Sequence, residues 1–133
     1  MENQDDKPIA DTRRYKYMNE FDATMQMIQG KWKVMLLYEL YEQPARRFGE
    51  LMKYIDGISH KTLTKQLREL EAHELLTRTL YSEVPARVEY NLSDKGRSLI
   101  PLLEMICKWG LANVDRNEME RLLCEEENDE LFS

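Results

Sequence analysis

Gly57-Ile58-Ser59-His60-Lys61-Thr62-Leu63-Thr64-Lys65-Gln66-Leu67-Arg68-Glu69-Leu70-Glu71 reads as one short helix with two opposed faces. At about 100° per residue, Leu63, Leu67 and Leu70 share roughly 60° of arc, while Lys61, Thr64, Lys65 and Arg68 occupy about 100° on the other side. One side packs and the other presents cations and hydroxyls. Ser59 is a good N-cap for this helix, which runs to about His73, because its hydroxyl accepts from an otherwise unpaired N–H in the first turn. Glu69 and Glu71 flank the cationic arc.

Working toward the N-terminus, Phe48, Leu51, Met52 and Ile55 recur at i, i+3, i+4 and i+7 and leave Arg47, Glu50 and Lys53 to solvent, which predicts a preceding helix broken by Asp56-Gly57. Before it, Trp32, Met35, Leu36 and Leu40 mark a largely buried helix closed by Pro44. Phe21, Met25 and Ile28 suggest a first helix ending near Gly30. Toward the C-terminus the period changes from 3.6 to 2. Leu76 to Tyr81 and Arg87 to Leu92 alternate apolar with polar residues, as in a half-buried antiparallel pair joined through Ser82 to Ala86. Ser93 then caps a long last helix with Leu99, Leu102, Leu103, Ile106 and Gly110 on one stripe, in which Pro101 predicts a kink unless the helix starts later.

The 133 residues suit one domain, with 42% hydrophobic and 33% charged residues, enough for a core and for solubility. A polar arm is expected over 1–11, the domain over 12–112 and an acidic tail over 113–133. The net charge of -6 lies in that tail, since from Asp115 onward eight acids face two arginines. The rest of the chain is neutral overall and can carry a basic face. No apolar run approaches a membrane span, and the acidic start, Met1 to Asp6, is unlike a signal peptide, so a cytoplasmic protein is expected. Cys107 and Cys124 are far from Cys-x-x-Cys spacing, so neither a disulfide framework nor a zinc site is indicated, and Cys107 reads as a small buried hydrophobe, with redox sensing through it the lesser alternative. His60 and His73 lack ligands at metal spacing, and no phosphate loop or nucleophile pairing occurs, so no metal, no cofactor and no enzyme are expected.

Helix, turn, helix and a two-stranded ribbon outline a mainly α fold with a small antiparallel β-hairpin, a winged helix-turn-helix. Lys61, Lys65 and Arg68 are of a kind to neutralise phosphates. His60, Thr64 and Arg68 suit base edges in a major groove wide enough for a helix, with Ser59 and Thr62 at the helix start beside them. Arg78 and Arg87 on the hairpin suit the phosphate backbone. By charge alone the helix face is an ordinary solvated one, and the hairpin a cap on the core; position after a helix-turn favours double-stranded DNA as the partner. Two apolar terminal helices, with Phe21 and Met25 on one and Leu102, Met105, Ile106 and Trp109 on the other, predict a twofold homodimer. The rival expectation is a protein–protein interaction module in which DNA binding is vestigial. The methionines, among them Met25, Met27, Met35, Met105 and Met119, read as core filling, and no small-molecule effector is assigned.

Gly30-Lys31-Trp32-Lys33, Arg47-Phe48-Gly49-Glu50-Leu51, the Gly57–Glu71 run and Glu83-Val84-Pro85-Ala86-Arg87-Val88-Glu89-Tyr90 resemble, in order and spacing from about Phe21 to Gly110, the HxlR family of bacterial transcriptional regulators. The resemblance implies a winged helix, dimerisation through the terminal helices and binding to an operator near a promoter. Two departures accompany it. The family often has a Cys-Pro pair before the first core helix, whose cysteine senses oxidants or electrophiles in some members; Asn19 and Glu20 stand there, which removes sensing through that thiol. Where the family usually has a glycine closing the recognition helix, this chain has Glu74, so either the cap is made differently or the helix frays.

Overall fold

The computed structural model describes residues 14–124; the arm expected over 1–11 and the end of the acidic tail, 125–133, lie outside the described residues. Helix α1 spans Glu20–Ile28, α2 Lys33–Glu42, α3 Phe48–Tyr54 and α4 His60–Ala72. Strands β1, Leu76–Tyr81, and β2, Arg87–Leu92, follow, then a short α5, Asp94–Arg97, and the final α6, Ile100–Asn113. Asn19 caps α1, its side chain accepting the Asp22 N–H at 2.8 Å. Asn19 therefore starts a helix.

Helix α2 is the centre of the fold. Leu36, Leu37, Tyr38 and Leu40 are consecutive or nearly so and all are buried, which places them on several sides of the helix at once. Leu51 and Ile55 of α3 and the Leu63, Leu67 and Leu70 stripe of α4 join the same core. Two charges are buried with α2, and each is paired. Lys33 Nζ lies 2.6 Å from Glu69 Oε1 of α4, and Glu39 Oε2 lies 2.9 Å from an Arg46 guanidinium nitrogen. Neither ion is left uncompensated away from water. Gly57, at φ +88°, makes the turn that delivers α4, a backbone angle that side chains with a Cβ avoid.

β1 and β2 pair antiparallel in the expected register range, from Leu76 opposite Leu92 to Tyr81 opposite Arg87. The alternation is only half realised in burial. Leu76 is buried at the root of the hairpin, but Leu80 is 59% exposed, because the distal half extends past the body. Arg46 adds a single bridge to the outer edge of β2, exchanging both N–H···O bonds with Tyr90 at 3.1 and 2.7 Å. That link ties the wing to the chain between α2 and α3.

Three sequence expectations need correction. The last helix is two: Ser93 caps α5, accepting the Gly96 N–H, and α6 starts afresh with Pro101 in its first turn, where a missing N–H costs nothing, so no kink is needed. The end of α4 neither frays nor needs another kind of cap. Glu74 itself takes φ +62°, its N–H bonds the Glu71 carbonyl and that of Leu75 bonds the Leu70 carbonyl, which together complete a Schellman motif without glycine. Cys107 is not a lone hydrophobe: it is joined to Cys124 in a disulfide, with Cα atoms 6.4 Å apart. Seventeen positions separate them, and only the return of the chain after α6 brings them together.

Candidate nucleic-acid interface

Helix α4 is amphipathic in the way its spacing requires. Leu63, Leu67 and Leu70 are buried, while His60, Lys61, Lys65 and Arg68 are exposed and Thr62 and Thr64 half-buried. Ser59 accepts the Thr62 N–H at 3.0 Å and donates its own hydroxyl to Thr62 Oγ1 at 2.9 Å, fixing the first turn. Thr64 Oγ1 donates to the His60 carbonyl at 2.9 Å. The His60 ring packs on Phe48 of α3, centroids 4.6 Å apart, so the helix start is held against the preceding helix.

Beside this face lies a cleft of about 500 Å³ between α4, α3 and the hairpin. His60, Thr64 and Arg68 line it from α4, and Arg78 from β1. Four of the sequence-selected residues therefore meet in one place. Lys61 and Lys65 lie outside that lining on the exposed part of α4, with Lys65 3.9 Å from Glu69 and 71% exposed. Among the described residues neither Lys61 nor Arg68 enters an ion pair.

Arg87 is placed differently. It is half-buried within the hairpin, 3.0 Å from Glu83 and 3.2 Å from Glu89, with its guanidinium 4.1 Å over the Tyr81 ring. Its Nε faces the Glu89 carboxylate at an angle that makes no hydrogen bond, so that contact is electrostatic. Two carboxylates and an aromatic face thus hold this cation within the wing.

The spacing of residues did not reveal Phe48 and Tyr90 as walls of the cleft, since both read as core positions. Nor did it reveal Lys33 and Glu69, a pair separated by 36 positions that anchors the back of α4 to α2. The Lys33 ammonium, donating to Glu69, holds that carboxyl below its ordinary value against the opposing effect of burial. The residues expected at a dimer contact lie on the surface: Phe21, Leu102, Met105, Ile106 and Trp109 are exposed and Met25 is half-buried.

A helix-turn-helix with a cationic, hydroxyl-bearing second helix and a hairpin at its side defines a winged-helix DNA-binding regulator of transcription, a class without enzymatic activity. The chain belongs to the HxlR-like helix-turn-helix family, which it matches over residues 27–118. It is 48% identical over 92 residues to the uncharacterized HTH-type transcriptional regulator YdzF of Bacillus subtilis, covering 69% of this chain and 84% of that one. YtcD, an HTH-type regulator from the same organism, is 44% identical over 101 residues, covering 76% of this chain and 79% of that one. The crystal structure of YtcD superimposes with a TM-score of 0.70, covering 74% of this chain and 100% of that one at 42% identity. An uncharacterized HTH-type transcriptional regulator of Methanothermobacter thermautotrophicus is 42% identical over 95 residues, 71% of this chain and 72% of that one. Among the described residues no helix is long and apolar enough to cross a membrane.

Proposed function

We propose that this regulator binds a near-palindromic operator as a homodimer in the cytoplasm, placing two copies of α4 in successive major grooves about 34–36 Å apart. The observation that carries this reading is the exposed Lys61, Lys65 and Arg68 face of α4, set on a buried leucine stripe beside a cleft it shares with Arg78. In this arrangement Lys61 and Lys65 neutralise phosphates, His60, Thr64 and Arg68 face base edges, and Ser59 and Thr62 hold the helix start against the backbone. Arg78 meets the backbone across the cleft. Arg87, already matched by Glu83 and Glu89, shapes the wing and adds little charge to the contact.

Support for the dimer comes from α6. Its inner side, with Ile100 and Leu103, is buried in the core, while Leu102, Met105, Ile106 and Trp109 fall on the opposite side and are exposed, Trp109 by 66%. A helix apolar on both sides fits between its own core and a second molecule. Phe21 of α1, 74% exposed, adds to the apolar surface.

The deciding experiment is a gel-shift titration of promoter fragments with wild type and with Lys65→Ala/Arg68→Ala. The expected result is loss of operator binding by roughly 1000-fold or more, at about one to three kcal/mol for each of the four contacts a dimer loses, with helix content and oligomeric state unchanged. Unchanged operator affinity in the double variant would overturn the reading in favour of a protein–protein interaction module.

A further inference from the structure

The disulfide between Cys107 and Cys124 fastens the segment that follows α6 back onto that helix. After Val114 the chain reverses through a single 3-10 turn, Arg116–Glu118, whose main-chain bonds run within the segment itself: Glu118 N–H to Asp115 O and Met119 N–H to Arg116 O. It then returns across the body. Leu123 packs against the core and Cys124 is only 5% exposed. Around the two sulfurs, Gly110, Leu111, Met119 and Leu122 line a mainly apolar, open recess of about 180 Å³.

The same segment has a second contact. Glu120 and Arg121 border a cleft with Lys31, Trp32, Met35 and Asp56. Trp32 is the N-cap of α2, and the next residue, Lys33, holds Glu69 on the back of α4. Asp56 lies in the turn from which α4 starts. The segment is thus clipped to α6 at Cys124 and, just before it, faces the start of α2 and the turn into α4 across that cleft.

We propose that Cys107 and Cys124 are a thiol–disulfide site whose reduction frees residues 114–124 and loosens the seating of α4. This rests on the DNA-binding reading for its effect on affinity, but not for the clip itself. In the reducing direction, a thiolate from a low-molecular-weight thiol attacks one sulfur, forming a mixed disulfide and releasing the other cysteine as a thiolate that takes a proton. A second thiol resolves the mixed disulfide, giving two cysteine thiols and the oxidised dimer of the reductant. In the oxidising direction, a hydroperoxide converts one cysteine thiolate to a sulfenic acid, leaving as an alcohol or water, and the other thiol condenses with it, losing water. The site lies far along the chain from Asn19 and Glu20, on the inner edge of α6 and away from the exposed face of Leu102, Met105, Ile106 and Trp109. Clip and dimer contact therefore do not compete for surface.

The test compares the full-length chain reduced with dithiothreitol and oxidised with hydrogen peroxide. The oxidised chain is expected to lose both titratable thiols without forming a disulfide-linked dimer. It should also be cut by trypsin after Arg116 and Arg121 about tenfold more slowly than the reduced chain, because cleavage requires local opening. Cys124→Ser is expected to be cut at the reduced rate under both conditions. Equal cutting rates in the two forms of the wild type, or an intermolecular disulfide, would overturn the clip whatever the DNA result. For the seating of α4, the clipped form should bind promoter DNA about fivefold more tightly; equal affinities with unequal cutting would overturn that coupling. If neither form binds DNA, the operator reading and the coupling fall while the cutting rates still decide the clip.

Discussion

Glu74 occupies the left-handed region at the end of α4 although it has a Cβ, which clashes there with the following carbonyl. Both capping hydrogen bonds form and Leu70 and Leu75 are fully buried beneath them, so packing holds the strained residue in place. Glu74→Gly should relieve the strain and raise stability by about 1 kcal/mol, after allowing for glycine's greater freedom in the unfolded chain. Urea denaturation measures it; unchanged or lower stability would show that Glu74 carries no such strain.

Glu69 presents a different case at the same scale. Its carboxyl is held below the ordinary value of 4.5 chiefly by the Lys33 hydrogen bond, so it binds protons less readily folded than unfolded. Its contribution to stability is therefore full above about pH 4.5 and is lost as pH falls through the lower, folded value. With the side chain 40% exposed, solvent screening limits that contribution. Glu69→Gln should cost about 1 kcal/mol at neutral pH, and the difference from wild type should shrink in acid. A gap independent of pH, followed by chemical denaturation from pH 3 to 7, would contradict it.

Among the elements, α6 shows most clearly what periodicity does and does not tell. Its apolar stripe was legible, and Pro101 marked either a kink or a later start. What the sequence did not assign was which apolar residues meet the core, since both sides of α6 are apolar. Ile100 and Leu103 take that place, leaving Ile106 53% exposed. Ile106→Glu, on the outer side, should shift the protein to monomer in sedimentation with its thermal unfolding little changed. A variant still dimeric at micromolar concentration would place the contact elsewhere. In α4 the assignment was easier, because its apolar and cationic arcs are opposed and leave one solution. The hairpin lies between these cases: its strands and register range followed from the alternation, but the pairing of Arg87 with Glu83 and Glu89 depends on how strand and loop fold over one another.

For the whole molecule, the distribution of charge matters more than its sum. The net charge of -6 resides in residues from Asp115 onward, so α4 can be cationic on an acidic protein. If Lys61, Lys65 and Arg78 each neutralise one phosphate per subunit, a dimer releases about six counterions, and log affinity should fall against log salt with a slope of about -5. Filter binding from low to physiological salt measures it. A slope near zero would contradict phosphate contact, and Arg87→Ala should leave the slope nearly unchanged because that cation is already paired.

By itself the sequence determined the order and kind of the elements, the family and the cationic face of α4, because these depend on patterns within a few residues that hydrophobic burial reads directly. Tertiary structure decided the contacts between distant positions: Lys33 with Glu69, Arg46 with Tyr90, Cys107 with Cys124. Each joins residues whose separation follows neither a helical nor a strand pattern, and only the path of the chain through the folded molecule brings them within reach.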